Sequence, residues 1–313
     1  MESLADDLRQ MRRTPLHDDH VEAIRAIATE KNYEAGDPVI NPGDRMDRFV
    51  YVVEGEIEVV DPFSGERMLE STLGPAQFMG EISFLSGANV TLPMRAAKQT
   101  RTLEAPRPAM LELMAKIPEM SDIIISVFAA RRRRQLEDND SSLKIIGAER
   151  SPELQRVVAF ATRNKIPFES LELDSAEANA EAKACKISHS EPVVVFGKDK
   201  VLEDATPRKI AQLIGIDQDI TDEETLDVLI VGGGPAGIAA AVYAGAEGLC
   251  AMVVDDVAVG GQAGTSSRIE NYMGFPTGIS GSDLLWRGHI QAMKFGTRFA
   301  VPRRAPAVSQ RED

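Results

Sequence analysis

Residues Leu226–Gly248 read LDVLIVGGGPAGIAAAVYAGAEG, and this stretch decides the fold of the C-terminal third. An apolar strand runs into G-x-G-x-x-G, with glycines at 232, 234 and 237. In such a turn Gly232 permits the tight bend, Gly234 lets the backbone approach a pyrophosphate, and Gly237 allows close packing of helix on strand. Pro235 and Ala236 open an Ala-rich helix whose N-terminus faces the phosphates. A second strand, CAMVVDD, ends at Asp255, 18 residues after Gly237. An acid there is placed for ribose hydroxyls. Strand, turn, helix, second strand and acid in register predict a Rossmann-type dinucleotide site. The motif alone does not choose between FAD and NAD.

Composition bounds the rest. The chain has 313 residues, a net charge of −14, 43% hydrophobic and 27% charged residues, which is the balance of a water-soluble globular protein of two or three domains. No apolar run approaches the ~20 residues that span a bilayer, and the first 13 residues alternate acid and base, unlike a signal peptide. A cytoplasmic protein without a membrane is expected. The acidic balance argues against nucleic acid, whose phosphates need a basic face. The one basic run, Arg131–Arg134, falls at a helix end, where it offsets the helix dipole or faces solvent. The two cysteines, Cys185 and Cys250, form no metal or CxxC spacing and are expected as small buried hydrophobes.

Residues 1–137 carry an amphipathic helix over His20–Thr29, then many short strands, then helices over Pro108–Leu136. RFVYVVEGEIEVVD (Arg48–Asp61) reads as two strands joined at Gly55 and DPFSGER (Asp61–Arg67) as a hairpin turn. This order predicts an antiparallel β-roll packed on helices. Together with Gly43 in NPGD and FMGEISFLSG (Phe78–Gly87), the segment resembles the cyclic-nucleotide-binding domain. The resemblance implies a cyclic nucleotide or related small ligand, with Gly80 and Glu81 at the sugar phosphate and Glu81 accepting from the ribose hydroxyl. The family's phosphate-binding arginine falls here on Thr91 and Leu92, and an RAA triplet stands about four residues late, at Arg95–Ala97. Either a longer loop delivers Arg95 to the phosphate, or Arg95 is an ordinary strand residue and the pocket binds no cyclic nucleotide.

Residues 142–217 read strand (SLKIIG), helix (SPELQRVVAFATRNK, capped by Ser151 with Pro152 at its first position), strand (IPFESLELD), strand (EPVVVFGKD) and helix (TPRKIAQLIGI). This resembles the thioredoxin-like fold. The helix start that carries a reactive thiol in that fold reads ERSPEL here, so a redox-silent module is expected.

Residues 224–313 hold the glycine turn and then GGQAGTSSRIENYMGFPTGISGSDL (Gly260–Leu284). That block resembles the FAD domain of thioredoxin reductase-like pyridine nucleotide–disulfide oxidoreductases and implies FAD contacts from Gly261, Gln262 and Asn271. The expected fold class is thus multidomain α+β and α/β: a β-roll, a thioredoxin-like module and part of a Rossmann-type FAD-binding domain. The resemblance further implies NADPH, a redox cysteine pair, a thioredoxin-like partner and a homodimer. Residues 1–313 contain no second glycine fingerprint and no CxxC. A truncated or frameshifted member, or a fragmentary gene model, is therefore expected, with weak FAD binding and no thioredoxin-disulfide reductase turnover of its own.

Overall fold

The computed structural model describes residues 15–148, 151–172, 175, 178, 192–197, 200–218, 225–307 and 309. Cys185 lies outside the described residues. The chain divides into two compact units, one over 2–206 and one over 207–313.

The first unit opens with helix α1 (Asp18–Arg25). Strands β1 (Thr29–Tyr33), β2 (Pro38–Ile40), β3 (Arg48–Glu54), β4 (Ile57–Val59), β5 (Phe78–Met79), β6 (Met94–Ala96) and β7 (Thr100–Pro106) follow, with one helical turn, α2 (Ser83–Ser86), between β5 and β6. They pair antiparallel in two sheets, in the orders β1-β7-β3-β5 and β2-β6-β4. Helices α3 (Arg107–Lys116) and α4 (Pro118–Glu137) complete the roll. The two expected strands meet at Gly55, whose φ of +92° a side chain would resist, and a Cβ there would lie 2.5 Å from Thr100 Cα. The turn after Asp61 closes as the sequence indicates, with its carboxylate accepting from the N–H groups of Phe63 and Ser64. Helix α1 stops earlier than the apolar spacing suggested. Thr29–Tyr33, mostly exposed and with no apolar face to announce it, pairs along β7 instead.

The core of the roll is aromatic. Phe49, Phe78, Phe84 and Phe128 are all but fully buried, and their ring centroids lie 5.3–6.5 Å apart. The roll also buries Glu104 on β7. This acid accepts from the Tyr33 hydroxyl and pairs with Arg48 Nε at 2.9 Å and Lys31 Nζ at 3.0 Å. Burial, and then the Glu104 carboxylate, push the Tyr33 hydroxyl up to about 12.

In the same unit, β8 (Leu143–Gly147), helix α5 (Pro152–Arg163) and β9 (Glu169–Glu172) form a parallel strand–helix–strand unit. Ser151 caps α5, its hydroxyl accepting from Leu154 N–H. Strands β10 (Val193–Phe196) and β11 (Lys200–Leu202) add antiparallel, giving the order β11-β10-β8-β9. This sheet is tied to the roll by polar contacts from α4 and the segment after it. Arg132 donates to the Lys165 carbonyl at 2.7 Å and Ser141 Oγ to the Pro167 carbonyl at 2.6 Å.

The second unit holds α6 (Pro207–Ile214), β12 (Val228–Val231), α7 (Pro235–Ala246), β13 (Ala251–Val254), α8 (Gly281–Lys294) and β14 (Arg298–Ala300). The sheet is parallel, in the order β12-β13-β14. Asp217, whose side chain is fully buried, pairs with Arg303 and Arg208 and bridges to Ala300, which fastens the segment after α6 to the end of β14. Strand β12 is apolar, yet it is an edge strand with Leu229 53% and Val231 58% exposed. Cys250 is also exposed rather than packed. It stands just before β13, where its N–H donates to the Asp227 carboxylate at 2.7 Å.

Two outcomes follow for the roll. Glu104→Ala removes the acid that Tyr33, Arg48 and Lys31 share and should lower the unfolding free energy by about 1–3 kcal/mol, since its cationic partners are partly exposed; Glu104→Gln should cost less, and urea denaturation measures both. Tyr33 keeps its proton above the range where an unfolded tyrosine loses it. The stability it contributes is therefore complete below about pH 10 and lost as pH rises toward 12. A spectrophotometric titration should show a late tyrosine that Tyr33→Phe removes.

Candidate functional site

Two places gather the residues singled out by the sequence. In the roll, a cavity of about 130 Å³ lies behind β4 and β6, walled by Ile57, Val59, Leu73, Val90, Leu92 and Met94 and reached by Gly80, Glu81, Ser83 and Thr91. Helix α4 closes it with Arg131, Arg134 and Gln135, and Asp140 follows at its end.

Gly80 is forced by packing. Its φ is +125°, and a Cβ would sit 2.8–2.9 Å from the Phe128 ring. The next residue, Glu81, carries its carboxylate to the cavity, where Oε2 is buried without a hydrogen-bond partner; Ser83 Oγ is buried and unpartnered too. Arg107 holds this turn by donating to the carbonyls of Phe84 and Leu85.

The cations at the cavity are engaged by the protein itself. Arg131 donates to the Phe78 and Gly80 carbonyls at 2.5 and 3.0 Å and lies over the Phe78 ring. Arg134 pairs with Asp138 at 2.8 Å and reaches Asp140 at 3.6 Å. Burial pushes the Asp140 carboxyl above its ordinary value, against the pull of Arg134. The basic run is therefore no solvated patch: its spacing from Phe128 puts Arg131 and Gln135 on the helix face that meets the roll. Gln135 is buried and donates to Thr91 Oγ1 at 3.3 Å.

Arg95 does not reach this cavity. Side chains alternate along a strand, so with Ile57, Val59 and Met94 turned inward, Glu58 and Arg95 stand together on the other face. They are register partners, with Arg95 Nε 2.6 Å from Glu58 Oε1 and Nη1 donating to the Gly65 carbonyl. Thr91 and Leu92 do line the cavity, and they bring a hydroxyl and an aliphatic chain.

The second place is the glycine turn between β12 and α7. Gly232 has φ +100°, and its N–H donates to the Val254 carbonyl. A Cβ on Gly237 would lie 1.9 Å from the Gly232 carbonyl oxygen, so only glycine fits. A Cβ on Gly234 would meet nothing within 4 Å; the space above the turn is open. Gly234 caps α7, with Pro235 at its start and Ala236 in its first turn. The loop carrying Gly261 docks on the turn, Gly260 N–H donating to the Gly233 carbonyl and Gly261 approaching Gly234 to 3.5 Å as measured from a Cβ. Gln262 is exposed at the edge of the same loop. Asn271 is exposed on another loop, closed by the Ile269–Ile279 bridge.

Asp255 differs from the expectation of a free ribose ligand. Oδ2 accepts from Gly233 N–H at 2.8 Å, and Oδ1 accepts from Val257 and Ala258 at 2.9 and 3.0 Å. The acid pins the glycine turn to β13. Each carboxylate oxygen offers about two lone pairs, so Oδ2 keeps one for a further donor.

The comparisons fall on two stretches. The cyclic nucleotide-binding domain family model matches residues 30–117. Thioredoxin reductases match 70–83 residues: that of Eremothecium gossypii is 44% identical over 75 residues (22% of this chain, 24% of that protein) and that of Mycolicibacterium smegmatis 40% over 75 (24% and 24%). The NADPH-dependent thioredoxin reductase 3 of Arabidopsis thaliana is 40% identical over 74 residues (22% and 14%). The chain spans about a quarter or less of the length of these relatives. Among solved structures, the Thermus thermophilus catabolite activator protein is 22% identical (41% of this chain, 60% of that one, TM-score 0.35). The N-terminal domain of a Streptomyces coelicolor transcriptional regulator is 26% identical (41% and 91%, TM-score 0.32). Among the described residues no helix is long and apolar enough to cross a membrane. The chain thus joins a stretch that matches the cyclic nucleotide-binding domain family to a stretch similar to thioredoxin reductases.

Proposed function

We propose that residues 226–300 bind FAD at the glycine turn, as part of a flavin oxidoreductase of the thioredoxin-disulfide reductase kind, and that the roll regulates or docks it through a small ligand. One contrast carries the reading. Within six residues, a Cβ at Gly237 collides with the turn while a Cβ at Gly234 enters empty space. Packing thus explains Gly237, and packing does not explain Gly234. A pyrophosphate laid against the backbone does explain it. The N-terminus of α7 favours that charge, Gly261 flanks it, and the remaining lone pair of Asp255 Oδ2 suits a ribose hydroxyl. Gln262 and Asn271 are candidate flavin contacts. Bound FAD would supply a two-electron acceptor; the chain's own residues bind and orient it. Residues 1–313 hold no CxxC, so we expect them to bind flavin without reducing thioredoxin by themselves.

For the roll, the buried, unpartnered Glu81 Oε2 and Ser83 Oγ support a ligand that donates hydrogen bonds, such as a sugar hydroxyl. Leaving a buried polar atom unsatisfied costs about 1–3 kcal/mol, which such a donor removes. A cyclic nucleotide is the first ligand to test. Its phosphate finds no uncommitted arginine in the cavity wall and would have to draw Arg131 or Arg134 from its present partners.

Two experiments test these readings. After incubation with FAD and desalting, the wild-type chain should retain a visible flavin spectrum. Gly234→Ala, which the φ of −72° tolerates, should fold and hold FAD at least ten-fold more weakly. Equal retention by this variant, or a colourless wild type, would sink the proposal. In titrations with a fluorescent cyclic nucleotide, Glu81→Ala should weaken binding by about ten-fold, in line with about 1.4 kcal/mol or more for one hydrogen bond to a charged group. Arg95→Ala should leave binding unchanged, and a loss on that change would return Arg95 to the site.

A further inference from the structure

We propose that His17, His20 and Glu119 form a site for a divalent transition metal, with Zn²⁺ the best fit. One ligand atom from each residue lies within 4.8 Å of the other two. The three converge from two helices. His17 is the residue before α1 and His20 lies in its first turn, so a spacing of three puts both imidazoles on one side. The rings stack, with centroids 4.9 Å apart. Glu119 belongs to the first turn of α4, and its Oε1 stands 3.8 Å from His17 Nδ1.

His20 makes this more than a surface cluster. It is 2% exposed, and its Nδ1 is buried with no hydrogen-bond partner. A buried imidazole normally finds a partner for each nitrogen. His17 and Glu119 have 56% and 69% of their side chains exposed, so they are free to turn and close on an ion held by His20. The ring planes lie 11° apart, and parallel lone pairs do not converge; His17 is the ring that must rotate. Tetrahedral Zn²⁺ with bonds of about 2.0–2.1 Å needs its ligands about 3.3 Å apart, a modest closure from the present separation. Two imidazoles and one carboxylate suit Zn²⁺ and its transition-metal neighbours, not Mg²⁺ or Ca²⁺, which take oxygen ligands. Water would complete the fourth position. Asp18 and Asp19, in the same turn of α1, add negative charge to that turn.

An ion here would clasp the start of α1 to the start of α4. Arg131 and Gln135 on that same α4 close the ligand cavity.

The test uses the full chain, stripped with EDTA and dialysed, then titrated with ZnCl₂ by calorimetry. One Zn²⁺ per chain is expected at this site. His17→Ala with Glu119→Gln alters only exposed side chains, should leave the far-ultraviolet circular dichroism unchanged, and should weaken that binding at least ten-fold. Loading with Co²⁺ should give the intense visible bands of a tetrahedral site in the wild type and not in the double variant. Cys250 is present in both chains, so any binding by it cancels in the comparison. Equal Zn²⁺ binding by the two chains, or none by the wild type, overturns the site.

Discussion

The roll depends on the fit between Phe128 and Gly80. Phe128 comes from the long helix α4 and Gly80 from the turn after β5, and the ring occupies the volume that a Cβ on residue 80 would need. One helical turn later Arg131 grips the carbonyls of Phe78 and Gly80. A ring and a guanidinium from one helix thus hold the backbone at Phe78 and Gly80, and this turn delivers Glu81 to the cavity. The aromatic cluster of Phe49, Phe78, Phe84 and Phe128 supplies the apolar burial, at roughly 1.5–3 kcal/mol per side chain. The cluster explains compactness; the contact at Gly80 explains where the acid points.

The second unit has a different governing constraint. A parallel sheet is normally covered on both faces and at its edges. Here β12 is an edge strand of three, and its alternate residues Leu229 and Val231 stand in the open. Its register is fixed instead by the glycine turn: Gly232 bonds to the end of β13, Asp255 bonds back to Gly233, and Gly237 packs on Gly232. The turn thus holds its shape through backbone hydrogen bonds and the Asp255 carboxylate.

How much the sequence disclosed follows from the range of each interaction. The glycine turn was legible because its parts lie within 30 residues and each position has one physical reason. The strands around Gly55 were legible from two runs rich in β-branched and aromatic residues, Phe49–Val53 and Ile57–Val60, broken at a glycine. The cavity wall was not. Arg131 meets Phe78 across 53 residues and Gln135 meets Thr91 across 44, and a run of four arginines does not reveal which of them turns inward. Spacing from Phe128 was the available signal. Arg95 shows the converse: the triplet is motif-like, but one residue of strand register decides the face, and Glu58 opposite holds Arg95 outside the cavity. Cys250 broke the usual burial of cysteine because β13 begins at the surface there. Thr29–Tyr33 escaped because its side chains are mostly polar and exposed, and its partner strand lies 67–75 residues away.

Two acids were read from the sequence as ligands for sugar hydroxyls, and they stand in opposite electrostatic conditions. Asp255 is satisfied by three backbone N–H groups before any ligand arrives. Its structural work is done by the protein alone, and a ribose could add only a fourth donor to a carboxylate already stabilised. Glu81 has a buried oxygen with nothing to accept from. In a low-dielectric wall lined by Ile57, Val59, Leu73 and Met94 that is a standing cost, and folding tolerates it because Gly80 and Phe128 fix the turn regardless. A ligand that brings a donor to Glu81 therefore gains the full release of that cost, whereas one that approaches Asp255 gains only the last increment. Discrimination by hydroxyl groups should accordingly be sharper in the roll than at the glycine turn, where the proposed flavin would be held chiefly by the open backbone above Gly234 and the helix behind it.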